Sequence, residues 1–296
     1  MTRPRRSLLF VPAANPRALE KSLGLSADTL IFDLEDSVAP EAKAESRERL
    51  RAHLAALPDG PAEIVVRVNA LQTPEGPEDL FMARGAWRRA GGRPAVDAIL
   101  LPKVEAAADL LAVEAVLTST DAPEHLALWA MIETPRGILN AADIAAAGGR
   151  LRALVVGPND IVAATGIQLS PGRPELVPWL SSVVLAAKAY GLLAIDGVFN
   201  DFGDAAGLAA ECAAGRAMGF DGKTLIHPAQ IAAADLAFGP SPDDIERAEA
   251  IVAAFARPEH AGAGVIRLDG RMVELLHRHA AERLLALRDA IARKSR

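Results

Sequence analysis

The sequence predicts an α/β fold, a (β/α)8 TIM barrel with a C-terminal hairpin-plus-helix extension, and three observations lead there. Eight short apolar, β-rich runs recur roughly every thirty residues, the length of a strand, a helix and two short loops. The runs are continuously apolar rather than alternating, which implies burial on both faces, as parallel strands covered by helices require. Ala-rich segments of helical periodicity separate them.

The strands are read in order as "SLLFVP" from residue 7, "TLIFDLED" from 29, "EIVVRVN" from 63, "AILLPKV" from 98, "LALWAMIET" from 126, "LRALVVGPND" from 151, "LLAIDGVF" from 192 and "KTLIHP" from 223. A doubly wound open sheet competes, but it favours a Gly-rich turn after its first strand, and "FVPAANPRA" has none. "RAMGFDGKT" imitates a phosphate-binding loop, yet Ala217 stands where the first glycine should be and a strand follows. Residues 1–240 therefore read as the catalytic barrel. In the remainder, 241–296, Asp243 and Asp244 open a helix, a hairpin turns at Asp269-Gly270, and a long amphipathic helix follows. This extension is expected to pack on a neighbouring subunit.

Composition limits the function. The 296 residues carry a formal net charge of −6 and a sequence pI near 5.6, without the clustered basic face that nucleic acid requires. No apolar run reaches membrane-spanning length without a charge or breaker. The start imitates an export signal, but its apolar part is short and contains Pro12, so it reads as a first strand and the protein as cytoplasmic. Cys212, the single cysteine, excludes an internal disulfide and reads as a small buried apolar residue.

A barrel of this type works at the C-terminal ends of its strands. Those ends deliver Asp33, Glu35 and Asp36, then Arg67 and Asn69, Lys103, Glu133, Asp160, Asp196 and His227. Any one of these acids could be an ordinary helix cap, but the set reads as the rim of one polar cup. Glu133 and Asp160, on adjacent strands without Cys or His nearby, suit a hard divalent ion such as Mg2+. The six histidines show no zinc spacing. Arg67 supplies a forked donor for a carboxylate or a developing oxyanion. A metal beside an arginine suits a 2-oxo or 2-hydroxy acid.

The segments "RSLLFVP", "DLEDSVAPEAK", "VRVN", "LPKVE", "IETPRGILN", "GPND" and "GFDGKTLIHPAQI" resemble, in order and spacing over roughly residues 5 to 235, the citrate lyase β-subunit-like branch of the HpcH/HpaI aldolase/citrate lyase superfamily, which includes malyl-CoA and citramalyl-CoA lyases. The resemblance implies Mg2+ at Glu133 and Asp160, substrate binding by Arg67, and backbone amides from Gly157, Pro158 and Asn159 to Asp160 around a substrate carboxylate. It implies an acyl-CoA thioester substrate, with CoA passing Arg17 and Lys21, and an acidic pair, Glu35 and Asp36, that organises water and Arg67. The reaction it implies is reversible Claisen cleavage of a β-hydroxyacyl-CoA to a 2-oxo acid and an acyl-CoA. Alternatives are hydrolysis of the same thioester, a β subunit acting on a carrier-protein thioester, and a non-catalytic subunit.

In the extension, those lyases carry an aspartate in a G-x-M-[IV]-D segment that reaches the neighbouring subunit's site as an acid or base. Here the segment reads "GRMVE", with Glu274 in that place. Glutamate keeps the carboxylate and adds a methylene, which shifts its reach by over about one ångström. A homotrimer or hexamer with shared sites is the assembly implied.

Overall fold

The computed structural model describes residues 3–85 and 95–294. Eight parallel strands close into a barrel in sequence order: β1 (Ser7–Pro12), β2 (Thr29–Asp33), β3 (Glu63–Arg67), β4 (Ala98–Leu101), β5 (Ala127–Ile132), β6 (Leu151–Val156), β7 (Leu193–Asp196) and β8 (Gly222–Leu225), which pairs back with β1. Every predicted strand is present within one or two residues of its expected start. Around them run α1 (Pro16–Ser22), α2 (Lys43–Ala56), α3 (Gly76–Ala83), α4 (Ala107–Ser119), α5 (Pro135–Leu139), α6 (Ala141–Ala145), α7 (Pro158–Thr165), α8 (Val177–Ala189), α9 (Ala205–Met218) and α10 (Ile231–Phe238). Among the described residues, no helix is long and apolar enough to cross a membrane.

The barrel is filled rather than hollow. Leu8, Ile31, Val65, Leu100, Trp129, Val155 and Ile195 project inward from seven different strands into one core cluster, and Trp129 is fully buried. Side chains alternate along a strand, so the neighbours of these residues face the surrounding helices. That parity decides which strand-end groups reach the cup.

Residues Arg5–Ala237 form one compact unit, and Phe238 onward, with the N-terminal residues, forms a second. The second unit holds α11 (Pro242–Phe255), an antiparallel hairpin of β9 (Val265–Leu268) and β10 (Arg271–Glu274), and α12 (Leu275–Lys294). Ser241 caps α11 in a reciprocal box with Asp244, so that acid is a helix start, as its position suggests. Ile251, Phe255, Ile266, Val273 and Ala281 make this unit's own core.

Candidate active site

Asp33, the last residue of β2, answers why acids follow an apolar run. Its two oxygens accept from Arg67 Nε and Nη2 at 2.7 and 2.8 Å, and also from the backbone N–H groups of Glu35 and Ser37. One buried carboxylate thus shapes the β2 loop and fixes the guanidinium at the end of β3. Burial works to raise the Asp33 pKa, but the bond and charge of Arg67 outweigh it and hold the carboxyl below its ordinary range. Arg67 Nη1 also meets Asp36 Oδ2 at 3.2 Å and lies 2.8 Å from Glu35 Oε2. The Phe10 ring sits beneath the guanidinium, 4.9 Å from its centre. One face and the Nε–Nη2 edge of Arg67 are therefore occupied, Nη1 is shared between Glu35 and Asp36, and the guanidinium lines a cavity.

Glu133 follows β5 and is fully buried. Its Oε1 accepts the Lys103 backbone N–H at 2.7 Å, while Oε2 has no hydrogen-bond partner. Burial, with Glu35 and Asp160 adding their charges, pushes its pKa up to about 7. Gly157, at the end of β6, makes room for it: a Cβ there would fall 2.5 Å from Glu133 Oε2. Gly157 also begins α7, which carries Asp160 in its first turn. No side chain caps that helix, so Asp160 is not spent as a cap. An orphaned buried carboxylate oxygen beside a second carboxylate is a donor set that fits a hard divalent cation. Among the described residues, no group of three or more His, Cys, Asp or Glu forms a ligand cage, which leaves further positions to water or substrate.

Lys103 closes the ring of charge. Its Nζ lies 2.5 Å from Glu35 Oε1 and 3.7 Å from both Asp36 and Asp160. Its φ of 50° is left-handed, a conformation that costs a non-glycine residue about 1–2 kcal/mol. Sequence reading placed Lys103 on the rim and gave it no role.

Asp33, Asp36, Arg67, Gly157, Pro158, Asn159 and Asp160 share a cavity of about 380 Å³ whose other wall is apolar, formed by Phe10, Met131, Val156, Val198 and Ile226. Arg17, Lys21 and His227 line a separate cavity of about 410 Å³ that shares Phe10, Pro12 and Ile226 with the first. Glu274 ends β10 in the other unit, its backbone N–H donating to His277 Nδ1 at 3.0 Å.

Two expected rim residues do other work. Asp196 is next to the inward-facing Ile195, so parity turns it outward behind the barrel wall. There it is fully buried against Arg173 at 2.5 Å and Lys223 at 3.0 Å. Asn69 is taken up by Asp79, Lys43 and the Leu34 carbonyl.

Residues 6–228 match the family model "HpcH/HpaI aldolase/citrate lyase". A "(3S)-malyl-CoA thioesterase" of Cereibacter sphaeroides is 46% identical, the alignment covering 98% of this chain and 96% of the relative. An "L-malyl-CoA/beta-methylmalyl-CoA lyase" from the same species is 34% identical over 95% and 93%. The crystal structure of the protein CitE from Mycobacterium tuberculosis in complex with magnesium, acetoacetate and coenzyme A superposes with a TM-score of 0.72 at 32% identity, covering 96% of this chain and 97% of that one. The motifs along β1 to β8, the closed barrel and these full-length likenesses agree, and the chain belongs to the HpcH/HpaI aldolase/citrate lyase family.

Proposed function

We propose that the chain is a Mg2+-dependent enzyme that binds a malyl-type β-hydroxyacyl-CoA and hydrolyses its thioester. The observation that carries the binding reading is the orphaned Oε2 of Glu133, buried within the electrostatic reach of Asp160. Glu133 and Asp160 would hold the ion. When bound, it supplies Lewis-acid polarisation of substrate oxygens and offsets the carboxylate excess.

The chain's own groups have distinct tasks. The Arg67 guanidinium, which lines the cavity, meets an oxygen on which negative charge builds, and Asp33 keeps it aimed. Backbone N–H groups in the first turn of α7, those of Asn159 and Asp160, receive the substrate carboxylate, since Pro158 has none and that of Gly157 goes to the Ile132 carbonyl. The apolar wall of Phe10, Val198 and Ile226 excludes bulk water and strengthens these contacts. Arg17 and Lys21 line the adjoining cavity, where CoA phosphates would run. Glu35 and Asp36 organise the attacking water, whose oxygen bonds to the thioester carbon as the C–S bond breaks. One water proton ends on the departing sulfur, and the products are a hydroxy diacid and free CoA.

Hydrolysis is favoured because the relative named as a thioesterase is 46% identical to this chain over nearly the full length of both, against 34% for the one named as a lyase. Claisen cleavage, the reaction expected from the sequence, is the second reading. It uses the same bound species: the hydroxyl loses its proton, the carbon–carbon bond breaks, and the acyl-CoA enolate is protonated. The Arg67, Glu133 and Asp160 arrangement serves either course. Glu274 is the acid or base brought by a neighbouring copy. The exposed Val265, Met272 and Leu276 beside it, 52, 68 and 61% accessible, offer an apolar face for a homotrimer or hexamer.

An assay with malyl-CoA and Mg2+ that follows free thiol and 2-oxo acid together tests the proposal. Thiol without oxo acid is the expected result. Oxo acid without thiol makes the enzyme a lyase, and neither product overturns both readings.

A further inference from the structure

Four carboxylates converge on the cup around Lys103, yet only two have the character of metal ligands. Glu35 is buried like Glu133, whereas Asp36 and Asp160 are more open, and its carboxylate lies in the same ring of charge, so by chemistry it could serve as a third. What separates it is Lys103. The left-handed backbone at Lys103 aims its N–H at Glu133 Oε1, 2.7 Å away, and so leaves the buried Oε2 unpartnered beside Gly157. The same residue's ammonium sits on Glu35 Oε1 at 2.5 Å and stands 3.7 Å from Asp36 and from Asp160. On its other side Glu35 faces the Arg67 guanidinium.

We infer that Lys103 is a positioning residue that sorts these carboxylates, presenting Glu133 to the divalent ion through its backbone amide and withholding Glu35 from it through its ammonium. This inference rests on the metal reading above. A third carboxylate on one small ion would raise its affinity but take a position that substrate oxygens need. Lys103 therefore trades metal affinity for an ion that keeps places open. Its strained backbone is consistent with that task, because left-handed non-glycine residues persist where surrounding contacts over-determine them.

The test is calorimetric titration of the metal-free protein with MgCl2. The Lys103→Met variant removes a cation close to Asp160 and frees Glu35 Oε1, so it should bind Mg2+ tighter by on the order of tenfold. Lys103→Arg keeps the charge and should stay within about threefold of the parent. Loss of a merely structural side chain would weaken binding, the opposite sign. Unchanged or weaker binding in Lys103→Met overturns the inference.

Glu35→Gln in the parent background provides an arm that does not depend on Lys103→Met folding. It should leave Mg2+ affinity within about threefold, because a withheld carboxylate contributes no ligand. A loss of tenfold or more makes Glu35 a ligand and overturns the sorting. Failure of the parent to bind Mg2+, or undiminished binding by Glu133→Gln, would instead remove the metal reading itself.

Discussion

Two ionic clusters in the barrel unit use similar residues to opposite ends. In the cup, the acids Asp33, Glu35, Asp36, Glu133 and Asp160 face, among the described residues, the side-chain cations Arg67 and Lys103. Behind β7 and β8, Asp196 and Glu211 meet Arg173 and Lys223 one for one. The rear cluster is neutral, and Lys223 and Asp196 are fully buried. The cup is short of positive charge and opens on a cavity. A balanced buried cluster is a structural joint, whereas an unbalanced one awaits a cation.

The largest expected effect breaks the cup. Glu133→Gln keeps the shape and removes the charge, so turnover should fall by at least about a thousandfold and calorimetric Mg2+ binding should vanish, with the fold retained. Turnover at the parental level would remove the metal assignment.

The complementary substitution breaks the joint. Asp196→Ala leaves two buried cations to share Glu211 alone and should cost about 3–5 kcal/mol in chemical denaturation. The protein that remains folded should still bind Mg2+ with affinity close to the parent's. A variant of parental stability would show that the rear cluster is not the joint it resembles.

The contrast was only partly legible in the sequence. Strand number, order and near-boundaries were readable because the apolar runs and breakers recur with the barrel's own period. Arg67 and Glu133 were readable because each stands as a charged residue directly after an apolar run, and Asp160 because it follows the next strand across a short Gly-Pro-Asn turn. Asp196 has that same signature, and in "LLAID" both faces of the strand are apolar, so parity could not be told. Its partner Arg173 comes from the segment before α8 with no local pattern to announce it. Lys103 was visible as a residue and not as a device, since a left-handed lysine has no sequence signal comparable to glycine in a turn.

Acidity sharpens the comparison by giving the clusters opposite signs. Burial favours protonated Asp196, but Lys223 and Arg173 outweigh it and hold the carboxyl below its ordinary 3.8. Its contribution is present above about pH 4 and lost as pH falls through the lowered folded value. Burial raises Glu133 from 4.5 to about 7, so the folded metal-free protein binds the extra proton. Its stability should therefore decline by about 3 kcal/mol as pH rises from about 4.5 to 7, then level off. Urea titrations of metal-free protein across that range should show the decline, and Glu133→Gln should lack it. A flat parental profile would mean that the buried carboxylate is already relieved by some other partner.

The smallest effect concerns the adjoining cavity, where exposure weakens every charge. Arg17 and Lys21 stand on the solvent side of α1, and their attraction for a phosphate is screened as a surface ion pair is, worth about 0.5–1 kcal/mol each. Replacing either by Ala should raise KM for the CoA thioester about two- to fivefold and leave kcat unchanged, because binding at that distance from the thioester is uniform between ground and transition states. The increase should shrink in 0.5 M salt, unlike the loss in Glu133→Gln, which involves a buried group that salt does not reach. If kcat fell with KM unchanged, the two cavities would not hold the two ends of one substrate. The CoA path would then have to leave the cup over another loop.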